Sequence, residues 1–476
     1  MRGPRRDGVY IPVRRPLNIP AALGLCGTSL LAYGVVVGLN WPGHFSPDGL
    51  WQLGQGRTGV FNTWHPPVMA WLLGLAARLS PNVGAFMSAN AALFFGALLG
   101  FATTRPRPRP RAILAVLGLT ALPVVLVLQG AVLKDILFAN ATLVGFACLA
   151  WRDRLSPGGW RLRLSLVAAA LCFTLAALTR QIGLVAPLCG GLCLIAILRS
   201  EGASRARAMR GGGLFLAVVM ALSAGASLFF ISHSDGRPET LLQLRRLQAW
   251  DMAGALHLDP ALALPATHAS APDLEAYLRA QAAPRWRAGD SDPVAHPPSF
   301  QPLMSSRAEG VGLDWRRLIL TRPGLYLRLR SQVFWATLAT PRSENCPMVI
   351  IGVDGSDAPA LKASGLRPRR TATDEALEDY ASDDFGGPVF SHLAWGLALV
   401  AGMALALRDW RGGDHGSDLA AVIALALAAL LYTAGFFVIS GACDYRYLYL
   451  VDAAAMALLV HRAARRPGTP PGTLRT

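Results

Sequence analysis

Eight stretches of this chain, 19–40, 83–103, 112–131, 164–179, 182–198, 213–232, 388–407 and 419–440, contain no Asp, Glu, Lys or Arg. A helix that crosses a bilayer needs roughly 17–25 mostly apolar residues, because each adds about 1.5 Å toward a hydrocarbon layer about 30 Å thick. These blocks approach or reach that length. Two shorter ones, 136–151 and 447–460, do so if they take in flanking residues or tilt. Composition agrees: 53% of the residues are hydrophobic and 16% are charged, against about 25% charged in an average soluble domain. That excludes a disordered chain and argues against an ordinary soluble enzyme. The expected fold class is an all-α polytopic membrane protein with about ten transmembrane helices.

One segment decides the sidedness of everything after it. Residues 67–80 (PVMAWLLGLAARLS) are apolar but short and carry Arg78. If this run lies flat at the interface, the segments 1–18, 105–111, 152–163, 199–210, 408–418 and 462–476 share one side and hold 23 arginines. If it spans, 18 of those 23 change sides. Basic loops stay cytoplasmic, so the flat reading is favoured, with both termini cytoplasmic. The net charge of +16 is then a topology signal, and RPRPRPR at 105–111 is a short cytoplasmic loop rather than a nucleic-acid patch. The first block follows Arg14 and Arg15 as a signal peptide would, but it lacks a small-x-small cleavage site and reads as a retained anchor.

Residues 233–387 break the pattern. Their 155 positions carry 17 basic and 19 acidic side chains, enough for a soluble external insert with its own small domain. The expected organisation is a module 1–232 with a catalytic first external loop at 41–82, the insert 233–387, and the C-terminal helices and basic tail 388–476. Within the insert, 314–331 (DWRRLILTRPGLYLRLRS) predicts an amphipathic helix with a proline break, on the membrane or capping the bundle. TATDEALEDYASDDFGG at 371–387 reads as an acidic loop. Of seven cysteines, five (Cys26, Cys148, Cys172, Cys189, Cys193) fall in apolar blocks as packing material. Cys346 and Cys443 would both be external, as a disulfide or as two free thiols.

With sidedness fixed, four separate loops deliver acids and bases to one external face: Asp48 and His65 in 41–66, Lys134 and Asp135, Arg180 in TRQIG, and Asp444 with Arg446 in CDYRY. A short helix begun by Ser46 or Pro47 would align Asp48, Gln52 and Gln55 on one side. A carboxylate there, near amides and His65, suits general-base work on a hydroxyl; the plainer reading is an N-terminal helix cap. His44 and His65 are otherwise interfacial hydrogen-bonders, and no spacing argues for zinc. Lys134, Arg180 and Arg446 each abut an apolar run. Singly, each could merely snorkel; together they form a clamp for an anionic headgroup. Asp135 and Asp444 neutralise the adjacent cations, orient an acceptor, or hold a divalent ion. Asp452, inside a span, reads as a buried structural pair rather than a cavity group.

SPDG and WHPP in the first loop, KDILFAN at 134–140, TRQIG, RLQAWDMAGAL at 246–256, RPGLYLRLR at 322–330 and DYRY at 444–447 form an ordered series. The series resembles a bacterial branch of the GT-C glycosyltransferase superfamily. That resemblance implies a polyprenyl-phosphate-linked sugar as donor, a glycan, lipid or protein as acceptor, a membrane-lipid environment in a bacterial inner membrane, and an inverting displacement. It implies Asp48 as base, Asp135 as the second acid, and Lys134, Arg180 and Arg446 as stabilisers of the departing phosphate. His65, Gln52 and Asp444 would hold the acceptor or orient the base. Many members carry two adjacent acids in the first loop, whereas Gly49 follows Asp48 here; that leaves open whether a divalent cation (Mg or Mn) takes part. Two other classes fit the composition. A transporter or flippase of an anionic lipid-linked substrate would place ionisable groups at mid-membrane and show repeated halves. A scaffold would bind a partner through the insert alone.

Overall fold

The computed structural model describes residues 19–105, 108–234, 240–290, 309–339, 348–384, 388–441 and 444–465. Cys346, Cys443 and the basic ends 1–18 and 466–476 lie outside the described residues. The chain is an all-α polytopic membrane protein. Among the described residues, extended pairing is limited to four isolated bridges. Eight helices of the described residues are long and apolar enough to cross a bilayer: α1 (Ile19–Asn40), α4 (Gly84–Ala102), α7 (from Lys134), α8 (Trp160–Thr179), α10 (Arg205–Ser232), α16 (His392–Arg411), α17 (Ser417–Ile439) and α18 (ending at Ala464). The marginal block at 136–151 reaches span length by taking in Lys134 at one end and Arg154 at the other.

The two remaining expected segments behave differently. The 112–131 block is not one rod. It breaks into α5 (Arg111–Ala121) and a second piece starting with α6 (Pro123–Leu126), bent by 75°. Pro123 has no N–H to continue the ladder and disfavours helical backbone at the preceding residue; Leu122 accordingly sits at ψ 135°. The 182–198 block forms α9 (Val185–Ser200), only 16 residues long.

The first loop folds as a helical hairpin, α2 (Pro47–Thr58) and α3 (Pro67–Leu79). At 13 residues α3 is about 20 Å long, too short to span. The pair touches backbone to backbone: a Cβ on Gly56 would lie 2.1 Å from the Ala70 carbonyl oxygen, and one on Gly74 2.1 Å from that of Gly56.

The bundle has two chemically distinct ends. At one, Arg105 reaches Asp418 and Asp414, His461 reaches Asp418, Arg465 reaches Asp409, and Arg152 reaches Glu201. All but His461, one position before the last of them, belong to the arginine-rich segments that charge bias places together. At the other end lie the first loop, the start of α7, the α8–α9 turn and residues 444–447. Helix α17 links the two, from Asp418 in the first network to Ser440 at the second. Asp452 is fully buried, with His392 Nδ1 at 2.9 Å and the Tyr445 hydroxyl at 2.5 Å, the structural pairing expected of it.

The insert departs from a single self-contained domain. Its first part, α11 (Thr240–Leu258), short helices between Pro265 and Arg285, α12 (Glu309–Thr321) and α13 (Pro323–Ala339), encloses its own core around Trp250, Leu278, Trp286 and Leu329. The expected 314–331 helix is divided at Pro323, and α13 caps the bundle: Arg330 donates to the carbonyls of Phe437 (2.9 Å) and Ser440 (2.7 Å) at the end of α17. The second part, 348–384, packs elsewhere. Ala360 of α14 (Ala358–Ser364) joins Phe45, Leu50 and Leu53 in the core of the first loop, and the Phe45 amide donates to the Gly352 carbonyl at 2.8 Å. His44 is absorbed there, its Nδ1 accepting from the Gly352 amide and its Nε2 meeting the Asn40 side chain. The expected acidic loop is instead helical from Ala372 to Asp379 (α15), because Thr371 and Asp374 form a capping box that satisfies the first free amides.

Candidate functional site

Ser46, not Asp48, caps α2: its hydroxyl accepts from the Gly49 amide at 3.4 Å. Pro47 takes the first helical position, where a missing N–H costs nothing. Asp48 is therefore released from the cap role, and its side chain keeps 34% exposure while lining a cavity of about 350 Å³. Gln52 and Gln55 follow the expected helical spacing but serve the backbone, Gln52 donating to the Asp48 carbonyl and Gln55 accepting from the Asn62 amide. Among the cavity's lining residues are Trp64, His65, Lys134 and Arg180, but neither amide.

The ionic groups named from sequence meet here as one chain of contacts. Asp48 Oδ2 accepts from Arg446 Nη2 at 2.8 Å, and Asp48 Oδ1 lies 3.5 Å from His65 Nε2. His65 Nδ1 is 2.6 Å from Lys134 Nζ. A lysine ammonium only donates, so this contact makes Nδ1 the acceptor and leaves the ring proton on Nε2, facing Asp48. Arg180 Nη1 is 2.6 Å from Asp135 Oδ1, Arg446 Nε is 3.9 Å from Asp135 Oδ2, and Arg446 also donates to Asp444 at 3.0 Å. Arg180 also lies over the adjoining rings of Phe436 and Tyr447, at 5.4 and 5.3 Å from their centroids.

These residues are not equivalent. Asp48, Lys134 and Arg180 face the cavity, whereas Asp135 and Arg446 stand behind them. Asp135, 2% exposed, fixes Arg180; Arg446 fixes Asp48. Enclosure by protein would raise the Asp48 pKa, but the Arg446 guanidinium, with His65, outweighs that and holds it well below the usual carboxylate range. Burial and the nearby Lys134 together push His65 down, favouring the neutral ring.

The donor set does not suit a divalent cation. Asp48 and Asp444 already accept from Arg446, Asp135 is paired with Arg180, and His65 Nδ1 is taken by Lys134. Among the described residues no group of three His, Cys, Asp or Glu is placed to hold a metal. Fixed guanidinium and ammonium groups occupy the positions between the acids.

Sequence reasoning did not single out the cavity's other wall. Gln243, Arg246 and Trp250 project from α11 at i, i+3 and i+7 and line it, as one face of a helix does. Arg246 lies over the Trp64 ring at 5.2 Å. RLQAWDMAGAL contains two of the three, but nothing in it tells which loop the helix faces. Beside the cavity runs an apolar groove of about 460 Å³ between α3, α8 and α10, which shares His65, Arg180, Gln181 and Gln243 with it.

No family model and no curated protein matches the chain. Solved structures similar to it include two oligosaccharyltransferase structures. One is the archaeal oligosaccharyltransferase AglB from Archaeoglobus fulgidus in complex with an inhibitory peptide and a dolichol-phosphate, at 13% identity and a TM-score of 0.40 over 92% of this chain and 50% of that one. The other is the Archaeoglobus fulgidus oligosaccharyltransferase in the apo form, at 14% identity and a TM-score of 0.42 over the same shares. The chain spans about half the length of each.

Proposed function

We propose that this chain is a GT-C-type membrane glycosyltransferase that moves a sugar from a polyprenyl-phosphate donor to an acceptor hydroxyl on the extracytoplasmic face of a bacterial inner membrane. What supports the reading is one observation: a carboxylate and two cations, Asp48, Lys134 and Arg180, face a single cavity that continues into an apolar groove. A lipid-linked phosphosugar has the same three parts in the same order. Its chain suits the groove and its sugar suits the cavity. The phosphate joining them suits the seam, where Arg180 and His65 belong to both spaces.

In the proposed reaction the acceptor oxygen attacks the anomeric carbon, and Asp48 takes the hydroxyl proton. The bond between that carbon and the phosphate oxygen breaks, its electron pair stays on the phosphate, and the lipid phosphate leaves with one more negative charge. Arg180 and Lys134 stabilise that charge, as preorganised cations do most effectively out of water. Displacement from the opposite face inverts the anomeric centre. A base held far below neutrality is weak in the resting site. An anionic phosphodiester arriving beside Arg180 and Lys134 offsets their field and raises the basicity of Asp48.

The transport alternative would draw on Asp452, but that carboxylate is enclosed by His392 and Tyr445. The deciding experiment incubates the purified protein with a panel of polyprenyl-phosphate sugars and measures released lipid phosphate. Release dependent on an added acceptor supports transfer. Vesicle translocation of the lipid without any glycosidic product overturns it.

A further inference from the structure

The cavity and the groove share His65, Arg180, Gln181 and Gln243, whereas Trp64, Arg246 and Trp250 belong to the cavity alone. Whatever joins the two spaces passes Arg180; whatever lies deeper in the cavity meets the α11 face. That face is built rather than incidental. Gln243 donates to the Trp64 carbonyl and accepts from Gln181 Nε2 at 3.1 Å, tying α11 to the first loop and to the α8–α9 turn. At the next turn Asp251 receives Arg330 at 2.8 Å and the Trp315 indole at 2.9 Å, and Arg330 in turn holds the end of α17. The helix is thus pinned on both sides of Arg246 and Trp250.

The chemistry displayed is the half-buried indole of Trp64, the part of the otherwise core-buried Trp250 that reaches the cavity wall, one guanidinium and an adjacent carboxylate. Indole faces are broad and apolar and accept the C–H face of a ring, while their edges and the guanidinium offer hydrogen-bond donors to hydroxyls. Burial lowers the Arg246 pKa to about 10, which still leaves it charged at neutrality. A phosphate seated at the seam, with its chain in the groove, lies outside the part of the cavity that these residues line. A polyhydroxylated ring carried beyond the phosphate meets all of them, next to the base Asp48.

We propose that Trp64, Arg246 and Trp250 form the subsite for the transferred sugar, so that the external insert supplies donor specificity through α11 while the membrane bundle supplies the phosphate contacts. The inference rests on the lipid-phosphosugar reading above. It is tested on the full chain in nanodiscs by measuring Kd for farnesyl phosphate and for farnesyl phosphate carrying glucose, mannose, galactose or ribose. Wild-type protein binds at least one glycosylated probe more tightly than the bare one. Arg246→Gln and Trp64→Ala each weaken that probe by about tenfold, a change of the size carried by one aromatic or charged contact, and leave farnesyl phosphate within about twofold. Trp64→Phe, which keeps a ring, retains most of the difference and guards against a folding defect in the alanine variant. Equal weakening of both probes, or of neither, overturns the subsite while leaving the lipid-phosphate reading intact. Failure of the wild type to bind any probe overturns that reading as well, and the subsite with it.

Discussion

Arg446 Nη2 lies 2.8 Å from Asp48 Oδ2, joining the first extramembrane helix to a turn 398 positions later. The same guanidinium reaches Asp444 and faces Asp135, so three acids are organised about one cation that does not itself line the cavity. Arg446 therefore acts by placing Asp48 rather than by touching a ligand. Asp48→Asn is expected to lower transfer by about 10²–10⁴-fold, the usual worth of a general base, with normal membrane insertion. Arg446→Gln is expected to lower kcat more than it raises KM for the donor. Parallel loss of donor binding and turnover in Arg446→Gln would instead make it a direct phosphate ligand.

The same pair sets a pH signature. The folded-state pKa of Asp48 is depressed, so the stabilisation from its ion pair is present above the unfolded carboxylate value of about 3.9. It is lost as pH falls through the lower folded value. Infrared titration of the carboxyl band, assigned with Asp48→Asn, should show Asp48 ionised below the range of ordinary carboxylates. In Arg446→Gln the burial effect is unopposed by its main partner and the midpoint moves upward. An unchanged midpoint would mean that Arg446 does not govern this charge.

Arg180 and Asp135 are 7% and 2% exposed and 2.6 Å apart. Removing one partner of a buried pair strands the other, at a cost of about 3–5 kcal/mol. Arg180→Ala should accordingly lower the thermal midpoint. Arg180→Ala combined with Asp135→Asn should recover much of the stability without recovering activity. Recovery of transfer in the double variant would show that the arginine serves only to neutralise the acid.

The hairpin that presents Asp48 depends on two glycines. Gly56→Ala or Gly74→Ala places a methyl against backbone that cannot rotate aside, and overpacking of this kind costs about 1–3 kcal/mol. The expected result is increased proteolysis within 41–82 and reduced transfer, with the far end of the bundle unaffected. Wild-type protease resistance in both variants would mean that α2 and α3 separate freely.

Much of this site was legible in the sequence because membrane topology converts charge counts into sidedness. Asp48, His65, Lys134, Arg180 and Arg446 come from four parts of the chain, yet each had to emerge on the same face. Which of them touches the cavity was not legible: Arg446 and Arg180 abut apolar runs alike, and only packing puts one behind Asp48 and the other at the seam. The α2 start was readable from SPDG, although the cap falls to Ser46, whose hydroxyl reaches the free amide while Pro47 occupies the first turn. The break in 112–131 was signalled by Pro123, but charge and length outweigh one proline in a hydropathy reading. Residues 348–384 were opaque for another reason. Their helices are too short for a clear period, and they pack on distant parts of the chain: Leu377 and Ala381 on the bundle core, Ala360 and the Phe45–Gly352 contact on the first loop, more than 300 positions away.

The shared boundary of the cavity and the groove has a kinetic consequence. Gln181 and Gln243 hydrogen-bond to each other at that boundary, and the groove's lining includes the exposed Met220 and Ile231 of α10. On the proposed reading, a long-tailed donor would enter this groove sideways between α3, α8 and α10, from within the leaflet. Its supply would then scale with the number of molecules per unit area of membrane and with their lateral mobility, so that saturation curves measured in micelles would shift with detergent at constant bulk concentration.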